Sequence, residues 1–158
     1  MQKHRHLARL AVRAPLPPDE TEAVAGEHGY PRPLLRRANW QSLNGTWDFA
    51  LDPEAAWTTP SQVSYTRQIR VPFAPETARS GVEDNGLYRA CWYRRTFQVP
   101  ELAPHERLLL HFGAVDYEAT VWVEGAVVAR HEGGYAPFHA DITEVVRGRA
   151  QVQIVVRA

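Results

Sequence analysis

The chain has 158 residues, 44% hydrophobic and 23% charged, with 18 Lys+Arg balanced by 18 Asp+Glu. That is the composition of one ordinary globular domain with a real core, and a formal net charge of zero argues against nucleic acid and anionic membrane as electrostatic partners. A single cysteine, Cys91, excludes an internal disulfide, and no apolar run is long enough to span a bilayer as a helix.

The first 29 residues differ from the rest. They have a basic start and a short apolar run broken by Arg9 and Arg13, with Pro15, Pro17 and Pro18 following. A secretory signal needs an unbroken apolar core of about 7–15 residues. We read 1–29 as a flexible leader with at most one helical turn, and expect a cytoplasmic protein. His4 and His6 read as a solvated terminal pair. The domain proper is expected over 30–158.

Tyr30-Pro31-Arg32-Pro33 leads in as an extended segment. From Leu43 to Leu51 the pattern alternates, with Leu43, Gly45, Trp47, Phe49 and Leu51 on one side. Period two marks a half-buried strand, anchored in the core by Trp47 and Phe49. Asn44-Gly45-Thr46 has the form of a glycosylation sequon and is taken as chance. Asp52 to Ser61 is a loop. Val63 to Val71 reads as a strand ended by Pro72. Phe73 to Tyr88 is the longest irregular stretch and carries Glu76, Glu83, Asp84 and Asn85. Long loops on rigid scaffolds are where binding residues gather, but Asp84-Asn85-Gly86 also spells a turn. Trp92 to Val99 is a strand stopped by Pro100. Arg94 and Arg95 point to opposite faces, so one is expected to be half-buried or salt-bridged.

Arg107 to Phe112 alternates, with Leu108, Leu110 and Phe112 together. Val115 to Glu124 alternates over ten residues, with Val115, Tyr117, Ala119, Val121 and Val123 inward. Glu124-Gly125 then sits before the apolar pair Val127-Val128, the signature of a hairpin. Gly133-Gly134 breaks the next segment, and Pro137 bars a central sheet position. Gln151 to Arg157 alternates again, with Val152, Ile154 and Val156 apolar. Seven to nine short strands with no long helix make an all-β, antiparallel β-sandwich or jelly roll.

The words SLNGTWDF (42–49), IRVPF (69–73), WYRRTFQVP (92–100), FGAVDYEATVWVEG (112–125) and HEGGYAPFHADIT (131–143) stand in one order at one spacing. Together they resemble the N-terminal sugar-binding domain of family 2 glycoside hydrolases, the β-galactosidase, β-glucuronidase and β-mannosidase group. The resemblance covers Tyr30 to Ala158. It implies a jelly roll of the galactose-binding type in a parent enzyme that cleaves β-linked sugars. It implies, as partners, an immunoglobulin-like domain and a catalytic TIM barrel where the parent has them, and carbohydrate. It implies a capping role for Asp141 and Thr143. It also implies that the loop before WYRRTF reaches the sugar site, where an Asn contacts substrate. Asn85 is the nearest counterpart, at a different spacing, so Asp84 and Asn85 are the candidate substrate-binding residues. Relatives carry Asn-Gly where this chain has Glu124-Gly125. Glu tolerates positive φ less well, so the turn is expected to hold about 1 kcal/mol of strain or to change type. Relatives add further strands past the position of Ala158. The domain is therefore expected to be truncated at its C-terminal end, with Gln151–Ala158 facing an unpaired edge.

Asp116 and Glu118 sit two apart, about 7 Å by strand rise, which invites comparison with the carboxylate pair of a retaining glycosidase about 5–5.5 Å apart. A solvated sheet face explains them better, and the resemblance puts both catalytic glutamates in the barrel. No phosphate loop, Ser/His/Asp set or metal-ligand spacing is present, so no cofactor is expected. His131 and His139 bracket GGYAPF and are read as local hydrogen-bonding groups. Cys91 is read as a small buried hydrophobe. Two other readings compete with the domain of a β-glycosidase. One is a free-standing carbohydrate-binding module, which needs Trp57, Trp92 or Trp122 exposed as a platform. The other is an interaction domain without sugar contact.

Overall fold

The computed structural model describes residues 39–158. The leader, the lead-in at Tyr30–Pro33 and the His4/His6 pair lie outside the described residues. The chain divides into two compact units, Met1–Ser42 and Leu43–Ala158. Of the first, only 39–42 are described, and they form neither helix nor strand.

The second unit is an antiparallel β-sandwich of jelly-roll type. Its strands are β1 (Gly45–Asp52), β2 (Arg67–Val71), β3 (Ala90–Gln98), β4 (Leu109–Phe112), β5 (Glu118–Val123), β6 (Ala126–Glu132), β7 (Phe138–Asp141) and β8 (Gln151–Arg157), with one helical turn, α1 (Thr143–Val146). Six strands form one sheet in the order β2-β1-β3-β8-β5-β6, and β4 pairs with β7 in a second. The main core lies between them. Trp47, Phe49, Ile69, Phe97, Val121, Val123, Val152, Ile154 and Val156 come from the large sheet, and Leu110 and Ala140 from the small one. All of these but Ile69, Phe97 and Ala140 are positions that alternation places on one strand face.

Three expectations are corrected. β8 is no edge: it pairs with β3 on one side and β5 on the other. Its apolar face is buried, and the edges of the large sheet are β2 and β6. The nearest pairing partners of β8, Val123 and Ile154, are 31 residues apart in sequence, which local alternation does not encode. The strand expected from Val115 begins only at Glu118, and Tyr117 is exposed. The strand expected from Val63 begins only at Arg67. Val63 and Tyr65 pack instead on a second apolar cluster of Ala50, Trp92, Trp122 and Val155, joined by Trp57. Segment 53–66 therefore covers the outer face of the large sheet.

The 124–125 hairpin keeps the type I′ backbone, with φ of 50° at Glu124 and 79° at Gly125. The Glu124 carboxylate accepts the Gln153 N–H at 2.6 Å and reaches Arg149 at 3.4 Å. These bonds to the neighbouring strand β8 and to Arg149 just before it offset the turn's preference for Asn. Arg94 and Arg95 are both satisfied. Arg94 pairs with Asp48 at 2.8 Å and lies 4.1 Å from the Tyr65 ring centroid. Arg95 donates to the carbonyls of Leu43 and Asn44 at 2.8 and 2.9 Å. Asp141 caps as expected. Its Oδ1 accepts the Thr143 backbone N–H at 3.0 Å and the Thr143 hydroxyl at 2.6 Å, and Thr143 Oγ1 accepts the Leu108 N–H at 2.9 Å.

Candidate functional site

The loop from 72 to 89 is irregular but pinned. Ser80 is buried in a single turn (Ala78–Ser80); its hydroxyl donates to the Thr77 carbonyl at 2.7 Å and accepts the Val82 N–H at 3.0 Å. The Asp84 N–H closes onto the Pro75 carbonyl at 3.1 Å. Val82 and Tyr88 pack on the main core. The backbone between them is held at both ends and its tip faces solvent.

The two sequence-predicted residues divide at that tip. Asp84 is engaged: it pairs with Arg67 at 2.6 Å and accepts the Gly86 N–H at 2.9 Å. The Arg67 hydrogen bond and then the Gly86 N–H hold its carboxyl below the usual range. This is the work of a turn-forming Asp. Asn85 is exposed and makes no hydrogen bond among the described residues, so its amide is available. Leu87, two residues on, is 99% exposed.

The strand register builds a second feature that sequence reasoning missed. The start of β3, the end of β8, the start of β5 and the end of β6 lie side by side at one end of the large sheet. Across them opens a cleft of about 520 Å³, lined by Tyr88, Asp116, Tyr117, Glu118, Glu132 and Arg157 among others. Glu118 stands opposite Glu132 in the β5–β6 ladder. The Tyr117 hydroxyl donates to Glu132 Oε1 at 2.7 Å. Gly134 lets the chain pass here, because a Cβ at that position would collide with the Asp116 carboxylate. Asp116 and Glu118 thus share a cleft, but Asp116 precedes the strand and the two are not a strand-face pair. No sequence signal marks this cleft beyond its five carboxylate and tyrosine positions, since it depends on which strand ends meet.

The remaining candidates are placed plainly. Cys91 is buried and burial pushes its thiol up, away from the reactive thiolate. His131 stacks on Phe138 at 4.3 Å, with Nε2 3.2 Å from the Gly133 carbonyl. His139 faces His111 across the β4–β7 pair, ring centroids 5.6 Å apart. Among the described residues, no three His, Cys, Asp or Glu side chains converge as a metal site. Trp92 and Trp122 are 0% and 6% exposed and Trp57 is half-buried, so the sheet face offers no tryptophan platform.

Residues 61–158 match the model of the sugar-binding domain of glycosyl hydrolases family 2. The chain belongs to that family. It is 34% identical over 133 residues to a β-glucuronidase of Paenibacillus borealis, covering 80% of this chain and 22% of the relative. The solved β-glucuronidase of Lactobacillus rhamnosus superposes with a TM-score of 0.60 at 34% identity, covering 75% of this chain and 20% of that one. That of Faecalibacterium prausnitzii gives 0.61 at 29% identity over 75% and 20%. The family 2 chain described here thus spans about a fifth of the length of the relatives it matches. No helix among its described residues is long and apolar enough to cross a membrane.

Proposed function

We propose that this chain serves as a non-catalytic sugar-binding and structural domain of a larger family 2 β-glycosidase. Hydrolysis of the O-glycosyl bond is assigned to the rest of that enzyme, an immunoglobulin-like domain and a TIM barrel. The observation that carries this reading is the match itself: one family 2 domain, aligned to about a fifth of enzymes named β-glucuronidases. Those names favour a β-glucuronide over a galactoside or mannoside as the parent's substrate. The domain is taken as 30–158, with 1–29 as a leader. The buried free thiol of Cys91 supports a reducing, cytoplasmic setting.

Within the reading, the loop from 72 to 89 reaches toward the parent's substrate. Asn85 supplies the contact and Asp84 holds the turn that presents it. The test is Asn85→Ala in the enzyme that carries this domain. Losing one hydrogen bond to substrate lowers kcat/KM for nitrophenyl β-glucuronide by about tenfold with the melting temperature unchanged. Asp84→Asn acts through loop order and lowers the melting temperature as well. Unchanged kinetics for Asn85→Ala would remove the loop from the site.

A further inference from the structure

The chain carries Asn-Gly twice, at Asn44-Gly45 and at Asn85-Gly86. Asparagine before glycine is prone to cyclise. The glycine nitrogen attacks the asparagine Cγ, and no Cβ on glycine shields that nitrogen. The two sites stand in opposite settings. Gly45 opens β1 in register with Val71, and Arg95 clamps the carbonyls of Leu43 and Asn44. Ring closure turns the asparagine backbone, so at Asn44 the end of the ladder must open first. Asn85 and Gly86 lie in neither helix nor strand, and both are exposed. The Asn85 amide makes no hydrogen bond among the described residues. One hydrogen bond bears on the attacking atom: the Gly86 N–H donates to Asp84 Oδ1 at 2.9 Å. The same carboxylate fixes glycine at this position, because a Cβ there would come within 2.8 Å of Oδ1. The turn that presents Asn85 therefore requires the neighbour that makes it reactive.

We propose that Asn85-Gly86 is a site of spontaneous deamidation, and that the fold protects Asn44-Gly45 from the same reaction. The Gly86 nitrogen gives its proton to solvent base and bonds to Asn85 Cγ. Nδ2 takes up a proton from water, the Cγ–Nδ2 bond breaks, and ammonia leaves a succinimide behind. Water then opens the ring at Cγ or at the Asn85 carbonyl carbon, which gives isoaspartate or aspartate. Both reacting atoms belong to the loop tip, and water is the co-reactant. The product adds one negative charge beside Glu83 and Asp84, in a chain whose formal net charge is zero. The proposal stands on these atoms and does not depend on the reading that Asn85 meets substrate. Where that reading holds, conversion replaces the contacting amide with a carboxylate.

The experiment ages the 158-residue chain in mildly alkaline buffer, well below its melting temperature. Trypsin, cutting after arginine, releases Asn85 in peptide 80–89 and Asn44 in peptide 38–67. Mass spectrometry follows the exchange of NH2 for OH in each, starting from a zero-time digest. Synthetic peptides of the same two sequences give the unprotected rates. Asn85 in the chain converts within about tenfold of its free peptide, the most that one exposed hydrogen bond slows it. Asn44 is slowed by more than about tenfold against its own peptide, because the sheet must open first. Asn85→Gln abolishes the mass gain in peptide 80–89, since the longer side chain closes a less favourable ring. The proposal is overturned if the fold slows Asn85 by more than about tenfold, or Asn44 by less. It is overturned equally if peptide 80–89 still gains the mass in Asn85→Gln.

Discussion

Trp92 and Trp122 stack across β8, ring centroids 5.3 Å apart and 22° from parallel. The pair closes the outer face of the large sheet with Ala50 and Val155, under Trp57, Val63 and Tyr65. The Trp92 indole N–H points at Asp52 Oδ2, 3.4 Å away, and the same carboxylate accepts the backbone N–H of Ala56 and Trp57 at 2.8 and 3.0 Å. Asp52 thus ties the covering segment to the sheet. Trp122→Ala is expected to cost about 3–5 kcal/mol, as buried aromatic truncations do. Urea unfolding checks this; an unchanged midpoint would mean the outer face is not a core.

Trp47 anchors the opposite face. It is 6% exposed, and its indole N–H donates to the Leu43 carbonyl at 2.7 Å. Trp47→Ala is expected to cost about 3–5 kcal/mol and Trp47→Phe less, about 1 kcal/mol for the hydrogen bond plus lost packing. Equal melting temperatures for Trp47→Ala and the parent chain would show the strand faces reversed.

The contrast between these two tryptophan sites shows what alternation can reveal. Trp47, Phe49, Val152, Ile154 and Val156 fall on the inward phase of a period-two pattern and are buried. Trp122 falls on the outward phase with Thr120 and Glu124, so a one-face reading gives it to solvent. Its cover comes from a segment some sixty residues earlier, and no local pattern carries that pairing. The candidate site divides likewise. Asp84-Asn85-Gly86 is legible as a turn. That Arg67 captures Asp84 from 17 residues away is not. The cleft at the sheet end needs the register of four strands before any of its residues can be named.

Glu124 offers a sharper test of the hairpin. Its carboxylate, accepting the Gln153 N–H, accounts for a Glu at a positive-φ position. Glu124→Ala keeps the strain and loses the bond, for an expected loss of about 1–2 kcal/mol. Glu124→Gly relieves the strain and loses less. Thermal melts of the two variants and the parent chain rank them; Ala at or above Gly would contradict the strain at φ 50°, and Ala melting with the parent chain would contradict the role given to the carboxylate.

Acid should loosen the turn at Asp141. The Thr143 hydroxyl, then the Thr143 N–H, hold the Asp141 carboxyl below its ordinary value, and Arg107 adds to this. A depressed folded-state pKa contributes stability above the unfolded value of about 3.9, and that contribution is lost as pH falls through the folded value. The gap in unfolding midpoint between the parent chain and Asp141→Asn is therefore widest near neutral pH. It narrows below about pH 4. A gap that grows on acidification would reverse the sign of the argument.

The central claim is that glycoside chemistry lies outside these residues. The purified 158-residue chain is incubated with nitrophenyl β-glucuronide, β-galactoside and β-mannoside, alongside Asp116→Asn and Glu118→Gln. The account predicts no release of nitrophenol above the uncatalysed rate for any of the three chains. Turnover by the parent chain that either substitution abolishes would contradict it, and would make the carboxylates of the sheet-end cleft an active site.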